Sequence, residues 1–380
     1  GFRIHLFGYQ YRVCLHFREV FDSDGRYEKL YYLLNGKGVS SVDEALKEME
    51  LLPLHSRYEN FFSYDNMEKI RSYLTYKPDK KKKEAEISIP GKIDNELKLL
   101  ITEFSKYSKE KKSGEKVEKK FHNQLSSCRE FLQIWIAHNQ RKSVTKWIKN
   151  CDDILPLNSK VETNREYLTF INLILLKQLF SKKSDRDKIN IFFDELLLSK
   201  PVTNILERHS DGSIYQRIEL IKLLLTAFLF EKKKAEKQKS DRAPKVTEKS
   251  DTEKNNTLSS IRVLITEKNV NNFLHVNEYQ GITYFNKERF VELLRWVMLF
   301  NLISIPDKFK SIYENKGQLK KADINKEVMK ITKEEFEAYT ELIDKADASG
   351  YDFNKFKLEL KKPLEAKVKT KTLTKRRKKT

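Results

Sequence analysis

What this sequence lacks narrows it first. Its 380 residues hold three cysteines, Cys14, Cys128 and Cys151, odd in number and far apart. That argues against a disulfide framework and favours a reducing compartment, the cytoplasm. No Cys-x-x-Cys pair offers a metal or redox site. No apolar run reaches the roughly 20 residues that a membrane helix needs. The most apolar windows, 167–180, 218–230 and 291–303, are interrupted by Lys177, Lys222 and Arg295 and read as buried helices, so no membrane partner is expected. Neither a secretory signal nor a Gly-x-Ser-x-Gly elbow nor a Cys/His nucleophile signature is present. No catalytic residue, metal ligand or cofactor is therefore expected.

What is present is charge and aromatic mass. The formal net charge is +20, and 23 Phe with 17 Tyr provide too many apolar anchors for a wholly unfolded chain. The excess is uneven: residues 361–380 carry ten Lys or Arg and the single acid Glu365. Lysine outnumbers arginine, 57 to 18. Base and phosphate readout leans on the planar fork of Arg, whereas surplus Lys commonly solvates a surface. The basic tail, with Lys375, Arg376, Arg377, Lys378 and Lys379, is the one candidate for a polyanion site, through weak and salt-sensitive phosphate contacts. Its bland alternative is a solvated chain end.

The fold class expected is mainly α: a short N-terminal β segment, the end of a β-sandwich, followed by helical bundles joined by charged linkers. Ile4, Leu6, Tyr9, Tyr11, Val13, Leu15 and Phe17 recur at period two, with Gly8 at a bend. The period then turns helical. Ser41 and Glu44 form a capping box for a helix expected to stop at Leu52-Pro53. The spans expected are 1–76 for the β remnant plus helices, 77–93 for a charged linker and 94–230 for a helical domain. A disordered linker over 231–257, a C-terminal helical domain over 258–360 and the tail 361–380 complete the chain.

Several constellations invite chemistry and are better explained by structure. Asp22-Ser23-Asp24-Gly25 with Glu28 resembles half a calcium loop, but Arg26 stands at the fifth position, so an Asp capping the next helix is preferred. Gly36-Lys37-Gly38 lacks the Walker frame and reads as a helix stop. Cys14 and His16 share a strand face, yet two ligands do not make a zinc site, and the other histidines are scattered singly. Phe121 to Trp147 mixes aromatics with cations at the spacing of a helix core. From Asn272 to Phe290 a junction is expected: Gly281 in a tight turn, Asn286 as an N-cap, and Phe285 with Phe290 as a hydrophobic staple.

Two stretches resemble the region that follows the catalytic barrel in large bacterial members of glycoside hydrolase family 13, the α-amylase family. The first is Tyr11-Arg12-Val13-Cys14-Leu15-His16-Phe17-Arg18-Glu19-Val20-Phe21-Asp22-Ser23-Asp24-Gly25-Arg26-Tyr27, continued by Asn35-Gly36-Lys37-Gly38-Val39-Ser40-Ser41-Val42-Asp43-Glu44-Ala45-Leu46. It is similar to the last strand of the sandwich after the barrel and the helices beyond it. The second, Val276-Asn277-Glu278-Tyr279-Gln280-Gly281-Ile282-Thr283-Tyr284-Phe285-Asn286-Lys287-Glu288-Arg289-Phe290 and on to Trp296, is similar to the C-terminal helical extension. Gly1-Phe2-Arg3-Ile4-His5 resembles the barrel segment that ends in the nucleophilic aspartate, but His5 occupies that place and cannot form a glycosyl ester.

The resemblance implies a non-catalytic accessory region of an α-amylase-like protein of α-glucan metabolism. Its expected partners are the catalytic barrel of the parent and α-glucan. Gly1 in place of Met, followed at once by ordered pattern, fits a piece of a longer chain. The alternative is a basic helical scaffold, or a non-specific nucleic-acid binder working through its Lys-rich tail.

Overall fold

The computed structural model describes residues 5–11, 13, 19–75, 91–108, 114–139, 165–180, 186–207, 215–226, 256–305 and 321–362. The linkers and the basic tail expected from composition lie largely or wholly outside them. Two compact units are formed, Gly1–Pro53 and Leu54–Thr380.

The first unit carries α1 (Arg26–Leu34) and the start of α2 (Val42–Phe61). Leu30, Leu46 and Leu51 are buried. The turn before α1 is built by carboxylates: Asp22 accepts from the amides of Glu28 at 2.9 Å and Tyr27 at 3.3 Å, and Asp24 accepts from Arg26 at 3.3 Å. Gly25 turns the chain at φ 71°, where a Cβ would be strained. Ser41 Oγ accepts from the amide of Glu44 at 3.2 Å, the first half of the expected box. Two expectations change here. None of the described residues 5–11 and 13 is in strand, and no described strand lies nearby in sequence to pair with their amides and carbonyls. The second change concerns α2, which does not stop at Pro53 but runs through it to Phe61. Interior proline costs about 3 kcal/mol. Beyond it the helix buries Leu54, Tyr58 and Phe61 completely, each worth roughly 1.5–3 kcal/mol.

The second unit is helical apart from one hairpin. In chain order it holds the rest of α2, α3 (Tyr64–Thr75), α4 (Gly91–Tyr107), α5 (Gly114–Asn139), α6 (Arg165–Leu179), α7 (Arg186–Glu195), α8 (Ser199–Glu207) and α9 (215–226). After these come α10 (Asn256–Leu264), α11 (Lys268–Phe273), β1 (Asn277–Tyr279), β2 (Ile282–Tyr284), α12 (Lys287–Ile303), α13 (Lys321–Ala348) and α14 (Phe353–Lys361). Helix α12 is apolar nearly all round and buries eleven residues from Phe290 to Ile303, as a central helix must. It packs against α10, α13 and α5. Residues of the 94–230 and 258–360 spans thus share one core, with Phe170 of α6 against Phe300 of α12.

Each of the three cations that interrupt the apolar windows has a partner. Lys222 binds both carboxylate oxygens of Asp194 at 2.8 Å, Arg295 pairs with Glu166 at 2.5 Å, and Lys177 lies over the Phe300 ring. Several buried polar groups are matched as well. Tyr58 donates to Asn172 at 2.6 Å, Tyr167 donates to the carbonyl of Met67 at 2.8 Å, and Thr257 and its amide donate to the buried carboxylate of Glu335. Burial pushes the Tyr58 and Tyr167 hydroxyls and the Cys128 thiol well above their ordinary values.

The junction from Asn272 to Phe290 forms as expected. Gln280 and Gly281 both have positive φ, 50° and 75°, and close a two-residue hairpin between β1 and β2. Asn286 accepts from the amide of Arg289 at 2.9 Å, and the Phe285 and Phe290 rings meet edge to face at 5.5 Å. Phe353 and Phe356 of α14 close over Phe285, which joins the hairpin to α14.

Candidate functional site

Three helices of the second unit leave an open groove of about 640 Å³. Helix α9 lends Tyr215, Glu219, Lys222 and Leu223, spaced four, three and one apart and hence on one face. Helix α11 lends Asn269, Asn272 and Phe273, again a single face, and α7 adds Asn190 and Ile191. Leu223 and Phe273 are buried and form the floor. Tyr215, 73% exposed, and Ile191 stand on the rim.

The groove's charges are cancelled by neighbours. Lys222 is held by Asp194, and Glu219 is paired with Arg289 at 3.5 Å. Arg289 also donates to the carbonyl of Phe273 at 2.9 Å and lies over its ring, so the capped start of α12 braces the α11 wall. What remains available is amide and aromatic. The Oδ1 of Asn190 is buried without a hydrogen-bond partner, and Asn269 and Asn272 are exposed. A neutral groove with carboxamides that both donate and accept, beside an uncovered phenol ring, suits a neutral hydroxyl-rich chain better than a polyanion.

A smaller depression of about 410 Å³ is lined by Arg262, Lys357 and Lys361. Its cations are already engaged in part: Arg262 donates to the carbonyls of Leu360 and Lys362, capping the end of α14, and Lys357 lies 4.1 Å from the Phe353 ring centre.

Among the described residues one group of metal-ligand type converges. Asp94 of α4 and Glu118 and His122 of α5 bring their ligand atoms within 4.8 Å of one another. Sequence reading missed this set, because Asp94 is distant in sequence and arrives only through the pairing of α4 with α5. The signal open to it was Glu118-x-x-x-His122, one helical turn apart on an amphipathic helix. Of the sites read from sequence, Cys14, His16 and the tail residues Lys375 to Lys379 lie outside the described residues. The Asp22–Glu28 loop is described as a helix cap. No catalytic acid–base pair was predicted, and the groove, assembled from three separated helices, had no linear motif. No family model, curated protein or solved structure matches the chain.

Proposed function

We propose that this chain is a non-catalytic accessory region of an α-amylase-like protein, and that its groove holds α-glucan for a catalytic barrel carried elsewhere in the parent. The observation that carries the reading is the groove itself: three asparagines and an exposed tyrosine around a floor of Leu223 and Phe273, with both lining charges cancelled. Glucose units present vicinal hydroxyls to amides and a carbon-rich face to a ring, and this lining offers both. The stretch that resembles the family's C-terminal extension supplies Arg289, which braces the groove.

A second support comes from the first unit. Leu6, Phe7, Tyr9, Tyr11 and Val13 are all exposed, a run of apolar side chains that another part of the protein could cover. In this reading Tyr11 and Val13 begin the last strand of the β-sandwich that follows the barrel, as the resemblance implies. The partner is then the parent's own catalytic part, and the compartment is the cytoplasm, in keeping with three unpatterned cysteines.

The test is calorimetry of the 380-residue chain with maltoheptaose, beside retardation in gels containing amylose. Saturable binding is expected, weakened about tenfold, or 1.4 kcal/mol, by Tyr215→Ala and by Asn272→Ala. Replacing Lys375 to Lys379 with alanine should change nothing. Failure to bind glucan, together with salt-sensitive binding to heparin that the tail substitutions abolish, would replace this reading with the polyanion one.

A further inference from the structure

We propose that Asp94, Glu118 and His122 form a site for one divalent transition-metal ion of the zinc class, which clips α4 to α5. The proposal is independent of the groove and rests on how the two helices bring these side chains together. Asp94 faces His122 while Lys98 faces Glu118, so a step of four along α4 matches a step of four back along α5. The helices are antiparallel, and this register sets one carboxylate of α4 over a Glu and a His one turn apart on α5.

The contact between Asp94 and His122 has the geometry of shared ligation. Nε2 and Oδ1 are 3.1 Å apart, close enough for a hydrogen bond. Yet both atoms are hidden from solvent and neither makes one. Neighbouring ligands of a tetrahedral zinc ion stand about 3.3 Å apart when the bonds are about 2.0–2.1 Å, so this pair is already spaced as two corners. Glu118, whose oxygen lies within 4.8 Å, reaches the third corner by side-chain rotation. Their neighbours along α4 and α5, Ile93, Leu97 and Phe121, are fully buried.

The donor set selects the metal class. Calcium and magnesium prefer shells made wholly of oxygen, whereas an imidazole beside two carboxylates suits zinc and its first-row neighbours. A dication also neutralises two carboxylates that otherwise have one lysine between them. Lys98 now lies 3.5 Å from Glu118, but its side chain is 59% exposed and can withdraw into water as the ion enters. Water completes the coordination.

The experiment uses the full chain, stripped with EDTA and dialysed, titrated with Zn²⁺ by calorimetry and with Co²⁺ by visible spectroscopy. One ion per chain is expected, with the intense visible bands of four-coordinate cobalt. His122→Ala and Glu118→Gln should each lower affinity about tenfold or more, with helix content checked by circular dichroism so that misfolding is separated from lost ligation. Lys98→Gln should raise affinity severalfold, because a competing cation is gone; a plain ion-pair network would not respond so. Absence of stoichiometric uptake, or uptake that both His122→Ala and Glu118→Gln leave unchanged, would overturn the proposal and leave only the contact between Asp94 and His122.

Discussion

The two stretches that resemble the α-amylase family have opposite fates. In residues 11–27 the described alternating side chains are uncovered: Tyr11 and Val13 are exposed, and Phe21 is 92% exposed. In residues 276–296 the aromatic side chains are largely covered. Phe285 sits within 5.2–6.0 Å of Phe290, Phe353 and Phe356, and Phe290 and Trp296 are buried. A hydrophobic pattern states that a face must be covered. It does not state which chain supplies the cover. In the second stretch the cover is local, since α14 returns onto the hairpin through an isolated bridge between Tyr284 and Asp352. For the first stretch no covering element is found among the described residues.

The largest effect that would sharpen this contrast is a pair of truncations. Phe290→Ala removes a ring that packs 5.0 Å from Phe356 and should cost about 3–5 kcal/mol in urea unfolding of the second unit. Tyr9→Ala, on an exposed side chain of the first unit, should change that unit's stability by no more than about 0.5 kcal/mol. Equal losses from the two would break the comparison, because Tyr9 would then be packed in solution. A smaller pair asks whether local capping is worth the same in both stretches. Asn286→Ala should cost about 1 kcal/mol, since its Oδ1 satisfies an amide of the central helix. Ser41→Ala, capping an exposed helix start, should cost about 0.5 kcal/mol. A larger loss at Ser41, by the same measurement, would show that α2 depends on its cap more than on burial.

Local structure was well marked in the sequence, tertiary convergence hardly at all. Asn286, Gly281 and the Phe285–Phe290 pair act over a few residues, so their spacing alone dictates the junction. The apolar windows around Lys177, Lys222 and Arg295 likewise announced buried helices. Their partners, Asp194 and Glu166, were invisible because the ion pairs span 28 and 129 positions. Pro53 misled for the same reason. Its local cost is legible, whereas the burial of Leu54, Tyr58 and Phe61 that offsets it is tertiary. The groove and the Asp94–Glu118–His122 group arise only from helix packing. Periodicity gives each helix its faces and is silent on which faces meet.

The smallest predicted effect concerns the turn that precedes α1, where the first stretch does hold a fixed structure. Desolvation at this turn raises the Asp22 carboxyl, but the amides of Glu28 and Tyr27, helped by Asp24 and Arg26, outweigh it and hold the group below its ordinary 3.8. A carboxylate whose folded value is depressed binds protons more tightly when unfolded. Its contribution is therefore complete above the unfolded value and lost as pH falls through the folded one. Amide resonances of Tyr27 and Glu28 should thus titrate together, with a midpoint below 3.8, while α1 frays over that same interval. Asp22→Asn should remove the titration and leave the cap partly in place, since an amide oxygen still accepts one bond. A midpoint at or above 3.8 would mean that the turn is open in solution. The first stretch would then lack fixed local order as well as cover.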